Sequence, residues 1–196
     1  MTTIDAIPYR WPWDGALSTS RLALVIAGAQ RYWAVRTVDA SAHLATVAAL
    51  ADRIRAIDVP VLWIRHGRLA TSRVSVPQRD SDAWLFALEP CAGDIVVDAA
   101  GIDGCYGSAL DANLRTLQRD HIVMCGLGLE GPVHSTLRSL NDRGLECLTL
   151  TDACAPHDSL SATGALSTIT LSYGIFGAVA RSASLLEALP RKEFAA

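Results

Sequence analysis

The sequence predicts an α/β domain with a doubly wound, six-stranded, mostly parallel sheet that carries helices on both faces. Three observations support this prediction. Short apolar runs recur along the chain, they are continuous rather than alternating in polarity, and segments with helical spacing separate them. Ligands of such folds bind beyond the carboxyl ends of the strands, which here are the segments after Ala27, His66, Asp98 and Gly126.

The six apolar runs are predicted to be strands because continuous apolar stretches of this length are typical of sheets that are buried on both faces. The first run is closed by Gly28, a residue that often ends a regular element. The predicted strands are residues 22–27, 59–66, 94–98, 121–126, 145–150 and 175–179.

Five segments between and after the strands are predicted to be helices. In the first of them Leu44, Val47, Ala51 and Ile54 recur at the spacing of one helical face. Gly144 follows the third predicted helix, at a position where glycine commonly ends a helix. Residues 67–92 are polar and irregular, with one helical turn near Asp82–Leu88. The predicted helices are residues 40–57, 108–117, 133–142, 159–171 and 182–189.

Residues 1–20 are predicted to form an irregular N-terminal arm, and residues 21–196 to form the domain. Pro8, Pro12 and Gly15 interrupt any regular element in the arm. Trp11 and Trp13 indicate that the arm packs on its own domain or on a neighbouring subunit.

Composition narrows the range of functions. A chain of 196 residues suits one domain, and a net charge of −3 with a pI near 5.9 disfavours nucleic-acid binding. No apolar run approaches the ~18 residues of a membrane span. The five cysteines are odd in number and form no CxxC pair, which favours free thiols and a cytoplasmic location.

Gly126, Gly128 and Gly131 form a GxGxxG motif between a predicted strand and a predicted helix, and Asp152 follows 21 residues beyond the last glycine. This is the context of a dinucleotide-binding turn. Pro132 directly after the third glycine, and the position of the motif at the fourth strand, argue for a plain glycine-rich turn. Dinucleotide binding therefore stays as one alternative.

Eight stretches of the chain together resemble the isochorismatase-like cysteine hydrolases, and most closely the branch that includes biuret and ureidoacrylate amidohydrolases. The resemblance runs from about Tyr9 to Leu189 and implies the family's Rossmann-like three-layer sandwich. The matching stretches are residues 9–15, 21–31, 61–67, 106–111, 134–138, 141–147, 152–155 and 174–179.

The resemblance also implies a catalytic triad of carboxylate, lysine and cysteine, with backbone N–H groups that bind the oxyanion. The carboxylate position falls on Gly28, the lysine position on Ala99 and the cysteine position on Pro132. All three family residues are therefore substituted.

A shifted alignment does not restore the triad. Lys192 is the sole lysine, and no acidic residue lies between Asp14 and Asp39. The nearest cysteine to Pro132 is Cys125, which is expected to be a buried strand residue. Proline also lacks the N–H group that an oxyanion would use.

Other residues near the expected pocket remain candidates for different chemistry. His66 and His134 have the position of an acid or a base. Cys105 lies near Asp98 and Asp103, and a neighbouring carboxylate makes a thiol less reactive. The remaining pocket candidates are Tyr106, Leu129, Glu130 and Gly131.

No cofactor is expected, and no metal site, because the histidines at positions 43, 66, 121, 134 and 157 are scattered along the chain. The leading hypothesis is a catalytically inactive family member with a pocket for a small neutral or cationic ligand. We expect a homo-oligomer, or a structural or regulatory subunit beside an active paralogue in amide or ureido hydrolysis. The alternative is an active hydrolase of such compounds with relocated residues (His66, His134 or Cys105).

Overall fold

The fold is described from a computed structural model that covers residues 3–12, 17–67 and 88–190. Within these residues six strands form one sheet in the order β3-β2-β1-β4-β5-β6, and every neighbouring pair is parallel. The predicted fold class is confirmed. The strands are β1 (Leu22–Ala27), β2 (Val61–His66), β3 (Ile95–Ala99), β4 (His121–Leu127), β5 (Glu146–Ala155) and β6 (Ala178–Ala180).

Helices pack against this sheet along its length. Helix α2 contacts β1, β2, β4, β5 and the last helix, α4 contacts β5, and α5 contacts β6. The helices are α1 (Arg31–Ala34), α2 (Ala40–Arg55), α3 (Leu110–Thr116), α4 (His134–Asn141), α5 (Ser159–Gly174) and α6 (Ser182–Ala188), and a π-helical turn (Leu129–Val133) precedes α4.

The centre of the core is the pair β1 and β4, in which every residue is buried. Their register places Leu22 beside His121 and Ala27 beside Gly126. The strand order reverses between these two strands, since the chain proceeds outward through β2 and β3 on one side and through β5 and β6 on the other. A crevice at the carboxyl ends of such a pair is the usual ligand site of doubly wound folds.

Two predicted strands, β5 and β6, differ most from the observed boundaries, and β2, β3 and β4 differ by one or two residues. Strand β5 continues to Ala155 rather than stopping at Leu150, because Thr151 and Asp152 find partners: Thr151 donates to the carbonyl of Ala180, and Asp152 accepts from Ser182. Strand β6 begins at Ala178 rather than at 175, since Gly177 has a φ of 107° that a strand does not adopt.

The five predicted helices are present, but the ends of several of them differ from the prediction. Helix α1 was not predicted, because four residues are too few for a periodic pattern. Helix α3 begins two residues after Ser108, whose hydroxyl accepts from the N–H of Leu110. The helix predicted to begin at Val133 begins one residue later, after the π-helical turn. Near the end of α5 the backbone at 171–173 is not helical.

The N-terminal arm packs on its own domain within the described residues, as predicted. Ile4 pairs with Trp11, Ile7 pairs with Val179, and the fully buried Trp11 ring lies 5.3 Å from the ring of His121. Tyr9 donates a short hydrogen bond to a carboxylate oxygen of Glu146.

Some predictions concern residues that lie outside the described ranges. Trp13 and nearly all of the predicted turn Asp82–Leu88 lie outside the described residues, and Leu88 itself is buried. Among the helices of residues 3–12, 17–67 and 88–190, none has the length and apolar character needed to cross a membrane.

The Tyr9–Glu146 hydrogen bond is expected to fasten the arm. Tyr9→Phe removes the hydroxyl from a partly buried carboxylate, so the free energy of unfolding should fall by about 1–3 kcal/mol in urea titrations. Tyr173→Phe is the matched control, because that side chain is 90% exposed and its change should stay within about 0.5 kcal/mol. Equal effects of the two variants would contradict the assignment.

Candidate functional site

The site lies where β1 and β4 end, and Gly28 is the first residue after β1. Its φ of 66° is in the left-handed region that favours glycine. A β-carbon at this position would overlap the carbonyl oxygen of Leu127 and would lie 3.0 Å from Cγ of Pro132. The structure thus places two of the three predicted triad positions side by side, and on this backbone the Leu127 carbonyl leaves no space for a side chain at position 28.

The π-helical turn after β4 carries Pro132, the predicted cysteine position. The turn follows Gly128, whose φ of 73° redirects the chain, and the N–H of Gly131 donates to the carbonyl of Gly128 at 3.0 Å. Leu129 and Pro132 are both buried. Because proline has neither a thiol nor an N–H group, position 132 offers no nucleophile and no oxyanion donor.

Trp33, on helix α1, lies over this glycine-rich turn. A β-carbon on Gly128 would be 2.9 Å from Cε3 of the indole, and one on Gly131 would be 3.4 Å from Cζ3 and Cη2. A β-carbon on Gly28 would be 3.2 Å from Cδ1 of the same ring. The indole therefore occupies the crevice between the ends of β1 and β4.

Gln30 joins the end of β1 to the end of β2. Its buried amide donates to the carbonyl of His66 at 3.1 Å and accepts from the N–H of His66 at 2.8 Å. This pair of hydrogen bonds links the last residue of β2 to the residue before α1. It fixes the backbone from which α1 starts.

The His66 ring is buried beside the loop after β3. Its Nδ1 lies 3.1 Å from the carbonyl oxygen of Gly101, a contact that requires a proton on Nδ1. The buried Nε2 has no hydrogen-bond partner among the described residues. Burial lowers the pKa of His66 to about 4, so the ring is neutral at pH 7.

Ala99, the predicted lysine position, ends β3 and pairs in register with His66. Its methyl group is buried, and its carbonyl accepts from Gly67 at 2.7 Å. The preceding residue, Asp98, has a side chain 68% exposed and binds Arg65 at 2.9 Å. Arg65 lowers the pKa of Asp98, so this carboxylate is engaged in a surface ion pair rather than available to a ligand.

Cys105 lies in the loop after β3 and is not activated. Its N–H donates to Asp103 at 2.8 Å, and burial, with the Asp103 charge added, raises the pKa of the thiol to about 12. Tyr106 is 55% exposed, and its carbonyl accepts from Ala100 at 2.9 Å. Both residues build the loop.

The two remaining charged or titratable candidates make contacts away from the glycines. The ring of His134 lies 6.1 Å from the ring of Phe176, and burial, with Arg138 nearby, lowers its pKa. Glu130 accepts from the N–H of His157 at 3.0 and 3.1 Å, which ties the turn to the loop after β5.

The structure therefore brings together Gly28, Gly131 and Pro132, whereas the carboxylates of Asp98 and Glu130 are bound by Arg65 and by the N–H of His157. Sequence reasoning missed Trp33 and Gln30. Both follow Gly28 within five residues. A lone amide and a lone aromatic residue after a strand carry little signal unless the neighbouring turn is known.

The comparisons with known proteins match this architecture. The model of the isochorismatase domain matches residues 22–184 of the chain. The chain belongs to the isochorismatase family.

Solved structures of the isochorismatase fold resemble the chain over most of its length. A cysteine hydrolase from Pseudomonas syringae is 21% identical, with a TM-score of 0.78, over 92% of this chain and 95% of its own. An isochorismatase family protein from Burkholderia thailandensis is 24% identical, with a TM-score of 0.77, over 88% and 97%. N-carbamoylsarcosine amidase from Thermoplasma acidophilum is 22% identical, with a TM-score of 0.72, over 83% and 96%. These likenesses establish the shared fold.

The cysteine nearest in sequence to the predicted nucleophile position, Pro132, is Cys125, and the structure confirms that it is a buried strand residue. It is fully buried in β4, and burial raises the pKa of its thiol far above the ordinary value. A buried neutral thiol of this kind acts as a small apolar side chain.

Stability should depend on pH through His66. Its pKa is about 4 in the folded chain and about 6.5 in the unfolded chain, so the unfolded state binds more protons between these values. Stability is therefore complete above pH 6.5 and falls by up to about 3 kcal/mol as the pH is lowered to 4. His66→Asn keeps a donor near Gly101 without a titrating ring, and should flatten this dependence in urea titrations.

His43→Gln, on α2, is the control for that experiment. It should leave the pH dependence between 4 and 6.5 unchanged. An unaltered slope in the His66→Asn variant would show that His66 is not the titrating group.

Proposed function

We propose that this chain is a catalytically inactive member of the isochorismatase family, which acts as a non-catalytic subunit beside an active paralogue. The observation that carries the proposal is the closure of position 28. Its left-handed backbone, the Leu127 carbonyl and the Pro132 ring leave no space for the carboxylate that the family's chemistry needs.

The other two triad positions support the same proposal. Ala99 provides a buried methyl group in place of an ammonium, so nothing there would lower the pKa of a thiol or hold a carboxylate. Pro132 provides neither the thiol nor the N–H. The three substitutions remove the nucleophile, the base and the activating charge together.

An active hydrolase with relocated residues has weaker support. A general base works best with a pKa near the working pH, and that of His66 is about 4. A nucleophilic cysteine needs a lowered pKa, and that of Cys105 is about 12. His134 faces Phe176 and Arg138, and its pKa is lowered as well.

Dinucleotide binding also has weaker support. A pyrophosphate would have to approach the glycines of the turn and the N–H groups at the start of a helix. Trp33 lies against Gly128 and Gly131, and Pro132 removes one of those N–H groups. The packing of the indole and the backbone geometry account for these glycines. The motif therefore does not indicate a bound dinucleotide.

The proposed paralogue would hydrolyse small amides or ureido compounds, the chemistry that the resemblance to biuret and ureidoacrylate amidohydrolases implies. N-carbamoylsarcosine amidase, a protein of the same fold, points to the same bond type. We place the complex in the cytoplasm, where its free cysteines would stay reduced.

The isolated chain should release no ammonia from N-carbamoyl amino acids, biuret or ureidoacrylate above the level of a heat-denatured sample. The N-carbamoylsarcosine amidase from Thermoplasma acidophilum is the positive control. Saturable release that is abolished by His66→Asn, His134→Ala or Cys105→Ser would overturn the proposal in favour of relocated chemistry.

The subunit role is tested by purifying the tagged chain from an extract of its native cells. We expect a stoichiometric family member with the carboxylate, lysine and cysteine at the positions that match Gly28, Ala99 and Pro132. Mass spectrometry of the purified complex identifies that protein. Recovery of this chain alone, as a homo-oligomer, would contradict the subunit role. The ammonia assay would then still test whether the chain is catalytically inactive.

A further inference from the structure

Three glycines at the carboxyl ends of β1 and β4 form a surface that we call the glycine cradle: Gly28, Gly128 and Gly131. Their missing side chains all face the same object, the indole of Trp33, at 3.2, 2.9 and 3.4 Å from the positions that β-carbons would take. Any side chain on one of these residues would therefore compete with the ring for space.

The three glycines of the cradle face both rings of the indole. Gly28 faces Cδ1 on the five-membered ring, whereas Gly128 and Gly131 face Cε3, Cζ3 and Cη2 on the six-membered ring. Backbone without β-carbons lets a ring approach closely along both of its rings. Such contact favours a planar group over a branched one of equal volume.

The side chains nearest to the cradle are apolar. The Pro132 ring lies beside Gly28 and Gly128, and the Ile102 methyl lies 4.0 Å from the β-carbon position of Gly131. The carboxylate of Glu130, the residue before Gly131, is bound by the N–H of His157. A charged group would lose its hydration here without a partner, so the cradle suits an uncharged ring.

The ring that fills the cradle comes from a surface segment. Helix α1 contributes no fully buried side chain, and Trp33 is itself only partly buried. The segment returns to the body of the protein through two contacts: Val38 donates to the carbonyl of Pro156 at 2.9 Å, and Nδ1 of His157 lies 2.7 Å from the carbonyl oxygen of Arg36.

We infer that the glycine cradle is a binding site for a flat, uncharged, bicyclic aromatic ring, and that Trp33 fills it from within the same chain. The crevice where the strand order reverses, the usual ligand site of this fold class, is thereby occupied by an internal ligand. A small aromatic molecule enters the cradle only when Trp33 leaves it. This inference goes beyond the proposed function and does not depend on it.

The test empties the cradle and refills it with indole. Trp33→Gly should lower the melting temperature by about 4–8 °C, because a partly buried indole is lost. Indole at ten times its dissociation constant should restore about 3–5 °C. The unsubstituted chain should show no rise, since its own ring holds the site.

Tyr32→Gly is the matched control, because Tyr32 is the neighbouring aromatic residue of α1 and its ring meets Trp33 edge-on at 5.0 Å. Indole should not stabilise this variant. Adding Gly131→Ala to Trp33→Gly should reduce the indole response at least threefold, because the new methyl occupies part of the cradle. No response in Trp33→Gly, or an equal response in Tyr32→Gly, would overturn the inference.

A second comparison decides the matter if Trp33→Gly does not fold. Trp33→Phe retains a flat ring and Trp33→Leu retains apolar volume without one. The cradle predicts a melting temperature several degrees higher for the phenylalanine variant than for the leucine variant. Equal temperatures, or the reverse order, would show that the cradle does not select a planar group.

Discussion

Strands β1 and β4 approach each other so closely at their carboxyl ends that a β-carbon on Gly126 would overlap the carbonyl group of Ala27. Only glycine fits there, and its φ of 136° is one that other residues rarely adopt. The register of β4 against β5 shifts between Met124 and Gly126. Beyond this point the chain turns sharply, and the Leu127 carbonyl comes to lie against Gly28. Gly126 and Gly28 therefore follow from this backbone proximity, whereas Gly128 and Gly131 face the side chains of Pro132 and Trp33.

Burial keeps two of the titratable candidates uncharged at pH 7, because exclusion of water disfavours every ionised form. The pKa of His66 is lowered, and that of the Cys105 thiol is raised. Ion pairs lie elsewhere, for example Arg65 with Asp98 and Arg55 with Asp94.

The fold was predictable from the sequence because its strongest signal is burial. Strands β1 and β4 are apolar throughout and were located to within one residue. Boundaries failed where a polar residue is satisfied by a distant partner, as Asp152 is by Ser182, since such pairing is invisible in a linear pattern. The predicted triad positions Gly28, Ala99 and Pro132 came from the resemblance to the family and not from any local pattern. The occupancy of the crevice by Trp33 was not, because it depends on the direction that α1 takes after the Gln30–His66 hydrogen bonds.

The backbone conformation of Gly28 also limits which substitutions the chain can accept. A mutation to aspartate at this position would strain the left-handed backbone and clash with the Leu127 carbonyl. The cost would fall on a fold whose net stability is small. An acidic residue at position 28 therefore requires the segment after β1 to take a different path, so that the backbone must change before the side chain can.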